Sequence, residues 1–353
     1  MDRLSALFGL AKSARRRGWN DTVRGLRTIV SRPETAIETP RHLQVEIVTR
    51  CNLGCIMCPR TVALARAASA EEEQAWHRHM PYEEFLGLLN QFPNLQTLSL
   101  HGIGEPLMHP RIFDMVAAAA ERGVKVRFTT NATLFDQSRC RRLIESGLRR
   151  LIVSIDGATA ATYEAIRPGA KFDRVLENLR VLTAMRREMG TSSPWLELSM
   201  VVQRDNAAEA TALITLAHDL GVNGVTLSPM KPPVDQLAAL ECDPETWRRV
   251  TYDARARARA LHIPLFIRGA RPLRRNHQAK PTHRCMHPWL SSVVMLNGDL
   301  MPCCNIHESV HSLGNLAADS FAEAWNGTRY RNFRRDLLRK GEIPEPCRSC
   351  PEF

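Results

Sequence analysis

The sequence predicts an α/β fold, in which parallel strands alternate with helices in a barrel-like sheet and a small domain of one β-hairpin and helices closes the chain. Three observations carry this. Short β-branched runs alternate with helical stretches from about residue 42. Glycine and polar residues gather where those strands end, and the pattern changes at residue 285.

In chain order, the first thirty residues read as helix, with Leu4, Leu7, Phe8 and Ala11 on one face. Residues 1–32 carry Arg3, Lys12, Arg15, Arg16, Arg17, Arg24, Arg27 and Arg32 against only Asp2 and Asp21. Such a segment either lies over the main domain or makes peripheral contact with an anionic membrane surface. Pro33 and Pro40 mark a linker, so residues 1–41 form a basic helical extension.

Residues 42–267 make the main domain. Its strands are expected at Leu43–Thr49, Leu95–His101, Val124–Thr130, Leu151–Asp156, Trp195–Val202, Val222–Ser228 and Ile263–Ile267. Helices are expected at Arg111–Arg122, Gln137–Ser146, Phe172–Arg187 and Ala207–Leu220, with Gly123, Gly147 and Gly221 where helices stop. Crossovers of this length join parallel strands covered on both faces. Polar groups at Cys51–Gly54, His101–Glu105, Asn131–Thr133 and Asp156–Gly157 then fall at the strand ends that build active sites in parallel barrels.

Residues 268–284 form a linker loop with Arg268, Arg271, Arg274, Arg275, Lys280, Arg284, His277 and His283 and no acid. It is either an exposed surface or a binding loop for an anionic substrate group. In residues 285–353, Val293–Leu296 and Leu300–Pro302 flank the turn Asn297-Gly298-Asp299, and helices follow near Phe321–Trp325 and Tyr330–Arg339. This segment is too small for a large core of its own, so a metal would supply stability.

Ten cysteines in 353 residues decide more than length does. A disulfide framework belongs to short secreted chains, whereas no signal peptide and no membrane-spanning apolar run is evident here. A cytoplasmic protein with reduced, metal-binding thiols is expected. The net charge of +11 raises nucleic acid as a partner. Neither basic segment has interleaved aromatics and no RNA-module signature occurs, so no nucleic acid is expected.

Cys51, Cys55 and Cys58 form a C-x3-C-x2-C set directly after the first strand. Three thiolates can hold three corners of a [4Fe–4S] cluster and leave one iron open. A closed zinc site would need a fourth ligand, for which only His77 and His79 lie near in sequence. The spacing, its position and further matches in order resemble the radical S-adenosylmethionine (SAM) superfamily. Those matches are His101-Gly-Ile-Gly104-Glu105-Pro106, Thr130-Asn131, and Ser154-Ile-Asp156-Gly157 with Arg167 downstream.

The resemblance implies a partial (β/α)6 TIM-like barrel and reductive cleavage of SAM to a 5′-deoxyadenosyl radical that abstracts a substrate hydrogen. It implies a catalytic cluster on Cys51, Cys55 and Cys58, and SAM contacts from Met57, Gly104, Glu105, Asn131, Ser154 and Arg167. Arg167 has the alternative of a salt-bridging side chain. A flavodoxin or ferredoxin would be the electron donor.

Cys285, Cys303, Cys347 and Cys350 make a second set, for which a zinc ribbon is the alternative. Beside a radical SAM core, this segment resembles the superfamily's C-terminal auxiliary extension, in the short twitch form of the SPASM domain. The resemblance implies one auxiliary [4Fe–4S] cluster on these four cysteines, hence two clusters in all. Cys304 either is buried or supplies a hydrogen atom to a substrate radical.

A saturated auxiliary cluster suits electron transfer. Twitch-bearing relatives include dehydrogenases of aminocyclitols and sugars, so the resemblance implies oxidation (dehydrogenation) or epimerisation of a small molecule such as a sugar, aminocyclitol or anionic metabolite. Peptide maturation, of a ribosomal peptide or a sulfatase, is the alternative. A zinc-stabilised nucleic-acid-binding protein stands for the non-enzyme class.

Overall fold

The computed structural model describes residues 19–231, 235–269, 285–304, 306, 309–339, 344, 347 and 350. Residues 1–18 and most of the basic loop, 270–284, lie outside the described residues, including Arg274 and Arg275. The strands are β1 (His42–Val45), β2 (Thr97–Leu100), β3 (Lys125–Thr130), β4 (Arg150–Ser154), β5 (Trp195–Val202), β6 (Gly224–Pro229), β7 (Leu265–Ile267), β8 (Ser291–Val294) and β9 (Leu300–Met301). Every strand expected from the sequence is present, most of them shorter by a few residues. The first shows why. Beyond Val45 the chain pairs once more, Glu46 N–H to Val294, then turns to the segment 78–80, where Met80 N–H donates to Ile47 and Thr49 N–H to Arg78.

The chain divides into two compact units, and each is described by itself. One comprises residues 47–82 and 100–272. Its strands β3 to β7 run side by side in sequence order, each parallel to the next. The helices Ile112–Glu121, Gln137–Glu145, Phe172–Glu188, Ala210–Asp219 and Pro244–Ala260 make the crossovers. The last of these is missed by the sequence reading, because its buried apolar residues are only Val250, Ala254 and Ala258, among five arginines and two acids, rather than a clear periodic stripe.

Alternation sets the two faces of this sheet. Leu151 and Val153 of β4 are fully buried, as are Val225 and Leu227 of β6. The opposite face is polar. Arg150 of β4 pairs with the buried carboxylate of Glu197 on β5, which also accepts from Thr226 Oγ1 at 2.6 Å. Ser154, Ser199 and Thr226 lie level on three adjacent strands. Glu197 is fully buried and paired, as a carboxylate in a sheet interior must be.

The second unit comprises residues 1–46, 83–99 and 273–353. Here β8 pairs parallel with β1, and β9 returns antiparallel on β8 through a turn at Gly298, whose φ is +86°. Its core holds Trp289, Phe321, Trp325 and Tyr330, all essentially inaccessible. Arg334 is buried among them, with no carboxylate partner among the described residues. Its Nε donates to Pro288 at 2.8 Å, its Nη1 to Glu34 at 3.0 Å, and its charge lies 4.4 Å over the Trp325 ring. Of the expected N-terminal helix, Trp19–Ser31 is described, with Ile29 buried and Val23, Leu26 and Val30 exposed. No helix among the described residues is long and apolar enough to cross a membrane.

Candidate active site

None of the ten cysteines is in a disulfide. Cys51, Cys55 and Cys58 occupy the loop that follows β1. The Cys58 N–H donates to Cys55 at 3.1 Å, closing a turn, and Cys58 is the N-cap of the helix Pro59–Leu64. Proline at the first helical position has its φ already set and needs no acceptor, so the helix begins directly behind the third thiol. A second face of the loop is tied down by backbone: Gly54 N–H donates to Pro168 at 3.1 Å, and Ile56 N–H to Ile166 at 3.1 Å.

The next layer comes from the ends of β2 and β3. Glu105 is buried and accepts from Leu107 N–H at 3.1 Å, Thr130 Oγ1 at 2.6 Å and Asn131 N–H at 2.8 Å. Burial pushes its carboxyl above the usual range, and those three donors, with Arg167, oppose the shift. Asn131 donates to Asn52 Oδ1 at 2.9 Å, and Asn52 donates to Thr133 Oγ1 at 2.8 Å. The segments 101–105 and 130–133 are thereby laced to each other and to the residue beside Cys51. Asn131→Ala removes the bond to Asn52 and the two that its Oδ1 accepts from Thr133 N–H and Oγ1, and is expected to destabilise the protein by about 1–3 kcal/mol. A urea titration compared with wild type measures it.

Gly104 has no room for a side chain. A Cβ there would lie 2.4 Å from the Val48 carbonyl oxygen and 2.7 Å from that of Arg50. Close backbone approach, rather than turn conformation, demands glycine. Ser154 is half-buried at the end of β4, and Met57 is half-buried in the cysteine loop.

Arg167, expected among the SAM contacts, is engaged by the protein itself. Its Nε and Nη2 donate to Asp156 Oδ2 at 2.7 and 2.5 Å, and its Nη1 reaches Cys55 Sγ at 3.8 Å. Burial opposes the guanidinium charge, but Asp156, Cys55 and Tyr163 outweigh it, so its pKa is raised. Burial pushes the Cys55 thiol up to about 11, against Arg167, and raises that of Cys51. Buried thiols of this kind become thiolates when a metal takes the proton's place.

The three cysteines fit an iron–sulfur cluster. They share one loop, and Cys51 and Cys55 each sense the charge of Cys58. Among the described residues, no three His, Cys, Asp or Glu side chains converge on one metal ion. A closed zinc site needs such convergence, whereas in a cubane each thiolate binds a different iron. His79 stacks edge-on against His109, with ring centroids 5.3 Å apart.

In the other unit, Cys347 is buried in the cluster of Ile29, Met286, Trp289, Leu290 and Leu337, against which Cys285 packs. Cys350 N–H donates to Cys347 at 3.2 Å, the same closing bond as in the Cys55–Cys58 turn. Cys303 packs against Val293, Met301 and Ile306. Cys304 is exposed, correcting the expectation that it is buried.

The sequence pattern of the Radical SAM superfamily matches residues 45–193. That of the SPASM iron–sulfur cluster-binding domain matches residues 285–351. The chain belongs to the radical SAM superfamily. Its cofactors are SAM and [4Fe–4S] iron–sulfur clusters, with auxiliary iron–sulfur in the SPASM domain.

Among the relatives of this radical SAM protein is the tungsten-containing aldehyde ferredoxin oxidoreductase cofactor-modifying protein of Pyrococcus furiosus. It is 26% identical over 335 residues, covering 88% of this chain and 87% of that protein. The PqqA peptide cyclase of Xanthomonas campestris is 26% identical over 337 residues, covering 90% and 81%. The fold is similar to that of Streptococcus suis SuiB bound to S-adenosylmethionine, with a TM-score of 0.69, 16% identity, and coverage of 93% of this chain and 77% of SuiB. The partial-barrel architecture expected from the sequence is thus the one observed.

Sequence reasoning missed several working residues of this radical SAM site. Asn52 sits inside the cysteine motif and had no signal beyond polarity. Asp156 was read only as a strand-end residue, although an acid eleven positions before a buried arginine was a visible hint. Asn206, which donates to the Asp156 carbonyl at 3.0 Å, gave no signal.

Proposed function

We propose that this radical SAM/SPASM protein modifies a peptide substrate. The supporting observation is the alignment with the PqqA peptide cyclase over 90% of the chain. The small-molecule oxidation or epimerisation expected from the sequence has less support, and the peptide alternative takes its place.

In this reading Cys51, Cys55 and Cys58 hold the catalytic cluster, and Cys285, Cys303, Cys347 and Cys350 hold auxiliary iron–sulfur. When bound, the cluster and SAM supply a 5′-deoxyadenosyl radical able to take hydrogen from an unactivated carbon. The chain's own groups prepare the ground for it. Glu105 and Asn131 fix the loop that carries Gly104, whose bare backbone packs against the carbonyls of Val48 and Arg50 just ahead of the cysteine loop. Met57, Gly104 and Ser154 border the SAM position, while Glu105 and Asn131 act mainly by placing backbone. On β4 and β5 the half-buried, level hydroxyls of Ser154 and Ser199 offer hydrogen-bonding groups to a peptide backbone.

The test is anaerobic incubation of the reduced holoenzyme with SAM and candidate precursor peptides encoded beside its gene. Peptide-stimulated 5′-deoxyadenosine and a peptide product that has lost hydrogen mass are expected. Stimulation by a sugar or aminocyclitol, with no peptide active, would overturn the reading.

A further inference from the structure

We infer that Arg167, clamped by Asp156, is a positioning residue for the ligand Cys55 and makes the catalytic cluster easier to reduce. This rests on the reading that Cys55 holds that cluster.

All three guanidinium nitrogens of Arg167 are committed within the protein. Nε and Nη2 go to one oxygen of Asp156, and Nη1 is left facing Cys55 Sγ at 3.8 Å. Two donors converging on one fixed oxygen tether the guanidinium by that edge, which limits where the third nitrogen can point. Asp156 is itself held. Its other oxygen accepts from Val201 N–H at 2.7 Å, and its carbonyl accepts from Asn206, which also donates to the Val201 carbonyl at 2.9 Å.

The two ends of this chain of contacts are also joined through backbone. Arg167 lies between Ile166 and Pro168, whose carbonyls accept from Ile56 and Gly54 on either side of Cys55. The separation of guanidinium and sulfur is thereby set by two independent routes. Arg167 is 8% exposed and Asp156 fully buried, so water screens the interaction little.

Reduction adds one negative charge to a cluster and its thiolates. A fixed cation and hydrogen-bond donor at a ligand sulfur favours the reduced form, since net charge and hydrogen bonds to the sulfurs set these potentials. Asp156 opposes part of that effect while aiming the donor. The pair therefore predicts opposite responses at its two members. The bond to Asp156 is the salt bridge that the sequence offers as the alternative to a SAM contact for Arg167.

The experiment is a redox titration of the anaerobically reconstituted full chain without SAM, followed by electron paramagnetic resonance. The catalytic cluster is identified as the signal that changes when SAM is then added. R167Q is expected to shift its midpoint potential to more negative values. R167K should retain part of the wild-type value, and D156N should shift it to more positive values. The affinity for SAM, measured by calorimetry, should change less than the potential.

Unchanged potentials in R167Q and D156N, or shifts of both in one direction, would overturn the inference. An unchanged potential with weakened SAM affinity in R167Q would return the residue to the role of SAM contact. Should R167Q assemble no cluster, D156N decides alone: a potential that fails to rise overturns the inference. Wild-type protein lacking any SAM-responsive signal overturns the cluster assignment, and the inference with it.

Discussion

Cys55→Ala is expected to abolish SAM cleavage while leaving the auxiliary iron in place. Cys55 is the buried member of the three, in a loop fixed by backbone bonds on both sides, so neither solvent nor a neighbouring side chain can replace its sulfur. Two thiolates do not retain a cubane that leaves one iron open to begin with. Arg167 would also lose its sulfur partner and keep a buried charge answered by Asp156 alone. Reconstituted C55A should carry about four fewer irons per chain than wild type, with 5′-deoxyadenosine at background. Cys304→Ala, at the exposed neighbour of Cys303, should leave both readings at wild-type level. Retention of full iron and cleavage by C55A would remove this cysteine from the cluster.

Gly104→Ala is the second large effect, and it acts through packing. The added methyl has nowhere to go, because the atoms it meets are the backbone oxygens of Val48 and Arg50 and the carbonyl carbon of Thr49. Those residues are pinned from the far side, where Met80 donates to Ile47 and Thr49 to Arg78. Glu105, the next residue, donates its N–H to Arg50 at 2.9 Å, so an outward shift of residue 104 breaks that bond as well. Overpacking against rigid backbone costs about 1–3 kcal/mol or more. The same displacement moves the loop away from the cysteines, so SAM affinity should fall together with stability. A thermal unfolding midpoint and a calorimetric SAM titration on the holoenzyme measure the two effects. A variant as stable as wild type, with unaltered affinity, would show that residue 104 has freedom to move.

The fold was legible where period and punctuation agreed. Strand β5 runs over Trp195–Val202 as the β-branched pattern indicates, and helices stop before Gly123, Gly147 and Gly221, each with positive φ. Other elements gave weaker signals. Ala160–Ile166 and Pro244–Ala260 lack a strong apolar stripe, and their helical state is decided by capping through Thr159 and Asp243 and by packing. Pairing of β8 with β1 was not legible, since parallel register depends on contacts distant in sequence.

The cysteines were legible because ligand spacing is local, and Gly104-Glu105 because it sits at a strand end. Arg167 was read as a SAM contact, with a salt-bridging side chain as the alternative, and it makes the salt bridge to Asp156. Its partners Asp156 and Cys55 come from two other segments, and only the folded chain brings the three together.

In the reading proposed above, Cys51, Cys55 and Cys58 carry the cluster that cleaves SAM. Anaerobically reconstituted, reduced protein incubated with SAM tests it most directly, with 5′-deoxyadenosine quantified by chromatography against the C51A/C55A/C58A variant. Formation of 5′-deoxyadenosine by wild type and none above background by the variant is the expected result. No cleavage from a wild-type chain loaded with iron and sulfide, or equal cleavage by the variant, would contradict it.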